Sequence, residues 1–183
     1  MIIAVDIDNT INNLQEVVVN LFNKRHGTNY TLEDFHDYDI ANDLSKHDAI
    51  KMKKIYGESG LYDSVKPTPM AQDCIQRLIS AGHQVYLVTD AIPKTYGEKV
   101  DWVHHYFPFI DNSHIISMSH KWLFKCDVMI DDNLHNLTPG HHYDRICMNH
   151  SWNKNIDDWV YDIHRCDNWN DIVRVINKLN ESE

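Results

Sequence analysis

No stretch of this chain approaches the roughly 18 consecutive apolar residues that a membrane-crossing helix needs. The opening residues show no basic region leading into a long apolar stretch and a cleavage site, so no signal peptide is expected either. Positive charge is scarce. Lys and Arg number 17 against 27 Asp and Glu, leaving a formal charge of −10 with 13 His counted neutral. Such a chain is not built to coat long nucleic acid or an anionic membrane, although an acidic surface can still hold a local cationic pocket for a small phosphate. Cysteine is sparse. Cys74, Cys126, Cys147 and Cys166 form no CxxC pair and read as reduced thiols of a cytoplasmic protein. Zinc is not expected despite the histidines, because His104-His105 and His141-His142 are adjacent in sequence and helix neighbours do not share a face. Gly and Pro are few, and there is no internal repeat or low-complexity tract. What remains is an ordinary globular composition, 43% apolar and 24% charged over 183 residues, enough for one domain with an insertion.

The chain opens MIIAVDIDNT. Met1 to Val5 is an unbroken apolar run, as in a strand buried on both faces of a parallel sheet. Asp6 and Asp8 stand where that strand ends, and Asp8-Asn9 is turn chemistry. In open α/β sheets ligands bind just outside the carboxyl ends of strands. Two carboxylates forced together cannot both ionise cheaply without a cation between them, and oxygen ligands favour a hard divalent ion, magnesium.

Beyond the turn, Leu14, Val17, Val18, Leu21 and Phe22 recur at helical spacing, with Asn12 or Asn13 as cap and Gly27 as stop. Residues 28 to 63 are polar and aromatic, with a helix start at Thr31 to Asp34 and a second helix over about Ser45 to Tyr56. From Val65 the pattern is regular. The sequence predicts a helix from Met70 to Ser80, a strand from Gln84 to Val88 running into Thr89-Asp90, and a helix over about Tyr96 to Tyr106. Strands follow at His114 to Met118, Asp127 to Ile130 and Arg145 to Met148, the last of the strands expected. A helical turn is expected at Lys121 to Lys125, an amphipathic helix at Asn168 to Leu179, and a frayed tail from Asn180. Strands alternating with helices predict an α/β fold: a three-layer, Rossmann-like parallel sheet with helices on both faces. Residues 1–11 and 64–180 would form this core, and 12–63 a small, mostly helical cap inserted after the first strand and placed over the site.

Asp-x-Asp-x-Thr after an N-terminal strand resembles the first motif of the haloacid dehalogenase superfamily, whose phosphatases use the first Asp as nucleophile. Three later strand-end features resemble that family's remaining motifs in order. YLVT delivers Thr89, Lys121 lies ten residues upstream of the acidic pair, and VMIDD delivers Asp131 and Asp132. The resemblance implies Asp6 as nucleophile and Asp8 as general acid and base. It implies magnesium held by Asp6, the Asp8 backbone carbonyl and Asp132, with Asp131 behind them or reaching the ion through a water. Thr89 and Lys121 would hold the phosphate oxygens.

The segment from Tyr56 to Asn136 further resembles the 5′(3′)-deoxyribonucleotidase group, in YGESGLYDSVKPTPMA, YLVT, YGEKVDWVHHYF and CDVMIDDN. RICMNHSWNK and CDNWNDIVRVI fit the end of that group, and residues 28 to 55 are least similar. This resemblance implies hydrolysis of deoxyribonucleoside 5′- or 3′-monophosphates, Lys99 as a phosphate-side lysine, an often dimeric assembly, and a role in deoxyribonucleotide catabolism. The cap's aromatics suit stacking of a base, with Phe35, Tyr38 and Tyr62 as candidates. The chain departs from the group at Thr89-Asp90-Ala91, where mammalian-type members carry Thr-Ser-Pro; an ionised Asp cannot donate to phosphate. Two alternatives remain: a phosphatase of the same superfamily for another small phosphomonoester such as a sugar phosphate, and a non-catalytic nucleotide-binding protein on the same fold.

Overall fold

The computed structural model describes residues 1–137, 142–154 and 162–181. The apolar runs pair into one six-stranded sheet with the order β3-β2-β1-β4-β5-β6. Its strands are β1 (Ile2–Val5), β2 (Gln84–Thr89), β3 (Ile115–Ser117), β4 (Val128–Asp131), β5 (Asp144–Met148) and β6 (Ile163–Cys166). Every pairing is parallel. The α-helices among the described residues are α1 (Leu14–His26), α2 (Lys46–Tyr56), α3 (Ala71–Ser80), α4 (Tyr96–Tyr106) and α5 (Trp169–Glu181).

The order has a consequence for function. From β1 the chain steps outward to β2 and β3, then returns to the other side of β1 and steps outward again through β4, β5 and β6. Right-handed crossovers therefore lie on one face for the first set and on the opposite face for the second. A doubly wound sheet binds ligands at this reversal, outside the carboxyl ends of the strands. Here the reversal falls at β1, whose next residue is Asp6.

Strand alternation sorts the apolar residues between the faces. Ile3 and Val5 of β1 join one large cluster with Leu87, Ile130, Ile146, Trp169, Ile172 and Ile176, whereas Ala4 joins a smaller one with Val88, Met129, Cys147 and Ile163. The larger cluster takes residues from every α-helix. The smaller takes none among the described residues; the 3₁₀ turns Lys121–Leu123 and Leu134–Leu137 occupy the connections there.

Between β1 and α3 lie α1, α2 and the 3₁₀ turns Leu32–Asp34, Ile40–Asp43 and Leu61–Ser64. The two ends of this segment run side by side. Asn12 bridges Pro67 in antiparallel fashion, Thr68 N–H donates to the Ile11 carbonyl at 2.9 Å, and Asn13 N–H donates to that of Lys66 at 3.1 Å. Its apolar residues, among them Val18, Phe22, Met52 and Ile55, belong to the larger sheet cluster rather than to a core of their own. Gly27 closes α1 with φ of 66°, a left-handed conformation that suits glycine, and its N–H reaches the Asn23 carbonyl. Ser45 caps α2 by accepting from Asp48 N–H at 3.2 Å.

Two features differ from the sequence reading. β6 is a sixth strand at the sheet edge; its residues IHRC are buried only at the two ends, so no apolar run announces it. α5 continues through Asn180 to Glu181, because its Trp169, Ile172 and Ile176 stripe is buried and ties the helix down. The tail beyond it (182–183) lies outside the described residues, as does His141.

Trp169 is fully buried, and its indole N–H donates to the Thr10 carbonyl at 3.1 Å, tying α5 to the turn after β1. Trp169→Ala is expected to cost about 3–5 kcal/mol, read as a lower urea midpoint at unchanged slope. A loss below about 1 kcal/mol would show that this anchor is dispensable.

Candidate active site

β1 ends in Asp6, whose N–H pairs with the Ile130 carbonyl of β4 at 2.9 Å, so the first acid is still held by the sheet. The chain then turns. Asn9 adopts φ of 60°, which Asn tolerates better than most residues. Side-chain amides hold the turn. Asn12 Oδ1 accepts from the N–H groups of Asn9 and Leu14, Asn12 Nδ2 donates to Asp8 Oδ1, and Asn9 Oδ1 accepts from Gln15 N–H, all within 2.8–3.0 Å. The Asn-rich stretch after the motif thus fixes where Asp8 points and starts α1.

β4 delivers Asp131 and Asp132, both with no exposed surface. One carboxylate oxygen each from Asp6, Asp131 and Asp132 lie within 4.8 Å of one another. Lys121 enters between them from its 3₁₀ turn, 2.6 Å from Asp6 Oδ1 and 2.8 Å from Asp131 Oδ2. Asp131 also accepts from Asn136 Nδ2 at 3.0 Å and Asn133 N–H at 2.8 Å. Asp132 accepts from Trp152 Nε1 at 3.0 Å through Oδ2, while its Oδ1 is buried with no partner.

These positions set the protonation. Burial pushes the Asp6 carboxyl up; Lys121 pulls it down, Asp131 and Asp8 push it up again, and it comes to about 7. Burial, then Asp6 and Asp131, raise Asp132 well above the usual carboxylate range. For Lys121 burial acts to lower the pKa, but Asp131 and Asp6 outweigh it and keep the ammonium charged. Three acids and one buried ammonium leave excess negative charge, and one carboxylate oxygen lacks any donor. This donor set fits a hard divalent cation.

The second acid is treated differently. Lys99, buried on α4, donates to Asp8 Oδ2 at 2.7 Å and to Thr89 Oγ1 at the end of β2 at 2.8 Å. Tyr62 O–H donates to Asp8 Oδ1 at 2.9 Å. Burial works against the charged form of Asp8, yet Lys99 and the hydrogen bonds from Lys99, Asn12 and Tyr62 outweigh it and hold the pKa below the usual value. Asp90, exposed, sits beside this group; its carbonyl is 3.5 Å from Lys99 Nζ and its Oδ1 accepts from Ser119 Oγ at 2.8 Å.

A cavity of about 210 Å³ opens beside Asp8, with Tyr38, Tyr56, Tyr62, Gln15, Asp90 and Lys99 in its wall. Tyr38 is 44% exposed as a residue, but burial of its hydroxyl and then the field of Asp132, Asp6, Asp131 and Asp8 push its pKa up. Tyr62 is likewise pushed up, by burial first and then by Asp8, so it stays a donor. The structure therefore brings Asp6, Asp8, Thr89, Lys99, Lys121, Asp131, Asp132, Tyr38 and Tyr62 together. It does not bring Phe35, which is fully buried in the apolar cluster beside Tyr30, ring centroids 5.7 Å apart, and is absent from the cavity wall. Sequence reasoning passed over Gln15 with Tyr56, whose O–H donates to Gln15 Oε1 at 2.8 Å, and Trp152 on Asp132. Nothing in their spacing marks them, since each partner lies far away along the chain.

Acids on the two adjacent central strands at a sheet reversal, with a buried lysine between them, fit the haloacid dehalogenase class of phosphomonoester hydrolases. The fold agrees: a conserved haloacid dehalogenase-like protein of Agrobacterium tumefaciens superposes with a TM-score of 0.65 at 12% identity, covering 98% of each chain. The sequence is 28% identical over 133 residues to a putative 5′(3′)-deoxyribonucleotidase of Staphylococcus epidermidis, 72% of this chain and 73% of that one. It is also 28% identical over 135 residues to a 5′(3′)-deoxyribonucleotidase of Clostridium acetobutylicum, 74% of each chain. Residues 1–180 match the family described as 5′ nucleotidase, deoxy (Pyrimidine), cytosolic type C protein, and the chain belongs to that family. No helix among the described residues is long and apolar enough to cross a membrane.

The raised pKa values carry a stability consequence. Asp6 and Asp132 bind protons more readily folded than unfolded. Their contribution is complete below the unfolded pKa and is lost as pH rises through the folded one. In chelator the urea midpoint is expected to fall between about pH 6 and about pH 8, and Asp6→Asn to flatten that fall. A midpoint that climbs over the same interval in wild-type protein would contradict the shared burial of these acids.

Proposed function

We propose that the chain hydrolyses deoxyribonucleoside 5′- or 3′-monophosphates through an aspartyl-phosphate on Asp6. The observation that carries this reading is the division of acids: Asp6 faces Asp131, Asp132 and Lys121, while Asp8 is held apart by Lys99 at the mouth of a cavity. Asp6 would attack phosphorus, and the ester P–O bond would break as Asp8 gives a proton to the leaving oxygen. Water would then attack the aspartyl-phosphate with its proton passing to Asp8, releasing phosphate and restoring both acids. Magnesium would be held by Asp6, Asp132 and the Asp8 carbonyl, with Asp131 close behind, and would offset the repulsion between anionic nucleophile and anionic phosphate.

Lys121 and Thr89 would take the phosphate oxygens. Lys99 already binds both Asp8 and Thr89, so an arriving phosphate competes with Asp8 for the same ammonium. Loosening that grip moves Asp8 toward the protonated state that a general acid needs. Residues 12–63 would serve as the cap. Gln15, Tyr38, Tyr56 and Tyr62 from that segment line the cavity beside Asp8, which supports a leaving group seated there and shielded from water. Tyr38 and Tyr62 are the remaining candidates to contact the nucleoside.

Phosphate release from a panel of nucleoside monophosphates and sugar phosphates, with magnesium and with chelator, tests this reading. Magnesium-dependent release favouring pyrimidine deoxynucleotides is expected; release from sugar phosphates alone would discard the nucleotide assignment and keep the chemistry. Asp6→Asn is expected to lower kcat at least about a thousandfold, and wild-type turnover in that variant would end the proposal. Asp90→Ser removes a like charge near the phosphate and supplies a donor. It should lower KM about fivefold, the worth of about 1 kcal/mol between nearby exposed charges. A KM that rises would place Asp90 on the leaving group instead.

A further inference from the structure

The segment after β5 touches both halves of the catalytic apparatus, although no motif of the family resemblance assigns it a part. His150 Nε2 donates to the Asn9 carbonyl at 2.7 Å, on the turn that carries Asp8. Its ring stacks on that of Trp152, centroids 4.3 Å apart and planes within 9°. Trp152 Nε1 donates to Asp132 Oδ2 at 3.0 Å. Asn153 Nδ2 donates to the Asp132 carbonyl at 2.9 Å and to the Met148 carbonyl at 2.8 Å, and Asn153 Oδ1 accepts from His150 N–H at 3.0 Å. Ser151 Oγ donates to the Leu32 carbonyl of the inserted segment at 2.6 Å. Ser151, Trp152 and Asn153 are all buried. One short turn thus grips the loop after β1, the acid after β4 and the insertion.

The chemistry of Asp132 gives this grip a purpose. A carboxylate rotates about its Cβ–Cγ bond unless a donor fixes one oxygen. Here the indole N–H fixes Oδ2, and Oδ1 remains buried with no donor. A donor rigidly stacked behind a ligand acid is how outer partners orient metal ligands. We propose that Trp152 and His150 are positioning residues. Trp152 sets the Asp132 carboxylate with Oδ1 free for a cation, and His150, stacked on it, ties that setting to the Asp8 turn. The distance between the first acid pair and Asp132 is then held by side chains rather than by the sheet alone. This inference rests on the reading of Asp132 as a cation ligand.

Calorimetric titration of magnesium into the metal-free protein tests it without reference to turnover. Wild type is expected to bind, and Asp132→Asn to lose binding. Trp152→Phe keeps the aromatic stack and removes the N–H; its magnesium dissociation constant should rise about 10- to 100-fold. Ser151→Ala, which loses only the bond to Leu32, should stay within about twofold of wild type and so separates loss of this donor from general damage to the turn. Should Trp152→Phe fail to fold, His150→Ala carries the test, with weakening of at least about threefold expected from loss of the stack and the Asn9 bond. Unchanged affinity in the folded variant overturns the inference. Wild type that does not bind, or Asp132→Asn that binds equally well, overturns the cation reading and the inference with it.

Discussion

Everything in this structure turns on three buried carboxylates sharing one buried ammonium. Asp6, Asp131 and Asp132 are each within 3% of complete burial, and Lys121 is as deeply placed. Taking charges out of water is costly, and the cost is recovered only where geometry and additional donors satisfy what is left. Here the balance is incomplete. The ammonium reaches Asp6 and Asp131 but not Asp132, whose Oδ1 has no partner. Burial and the neighbouring acids raise the pKa of Asp6 and of Asp132. A divalent cation held by Asp6 and Asp132 would meet this imbalance, because those acids could then keep their charge. A chain shaped for stability alone would do as well with apolar side chains there; the cluster's place at the sheet reversal is what supports reading it as a site.

The scaffold tolerates this cost because it is stiff where the acids sit. Asp6 and Asp131 lie at the ends of adjacent parallel strands, with Asp6 N–H still in the ladder to Ile130. Apolar side chains with no exposed surface back both strands. The Asn9–Asn12 network fixes the Asp8 turn, and Trp169 holds Thr10 from behind. Neither the sheet nor the turn can yield without breaking several hydrogen bonds at once, so the acids cannot relieve their repulsion by moving apart.

Much of this was legible in the sequence, for reasons that differ by element. β1, β2 and β4 announce themselves because a buried parallel strand must be continuously apolar. The polar residues that end them, Asp6, Thr89 and Asp131, are conspicuous by contrast. Gly27, free to take a left-handed φ, bounded α1, and Ser45, whose hydroxyl caps a first turn, bounded α2. β6 was not legible, since an edge strand with exposed His164 needs no apolar alternation. Phe35 was misleading: an aromatic in a polar segment reads equally as ligand contact or as core, and burial decided for core. The Trp152 and Asp132 pair is separated by 20 residues, and His150 and Asn9 by 141. Only the folded sheet brings β5 beside β4 and makes those pairs.

Asp6 and Asp8 show why identity of residue says less than its surroundings. They are two positions apart, Asp6 buried and Asp8 partly so, and desolvation pushes both carboxyls up. Asp6 meets one lysine that it must share with Asp131, among other acids, and its pKa rises. Asp8 meets Lys99 together with the Tyr62 hydroxyl and the Asn12 amide, and its pKa falls. Each lysine pulls its acid down, but burial and the neighbouring acids outweigh Lys121 at Asp6, whereas Lys99 with its added donors outweighs burial at Asp8. A ligand that neutralises the first cluster and draws Lys99 off Asp8 would reverse both: Asp6 becomes a charged nucleophile and Asp8 a proton donor. In the proposed reaction magnesium would do the first and a phosphate the second. On that reading the two species that the reaction consumes or requires would themselves set the charge of each acid.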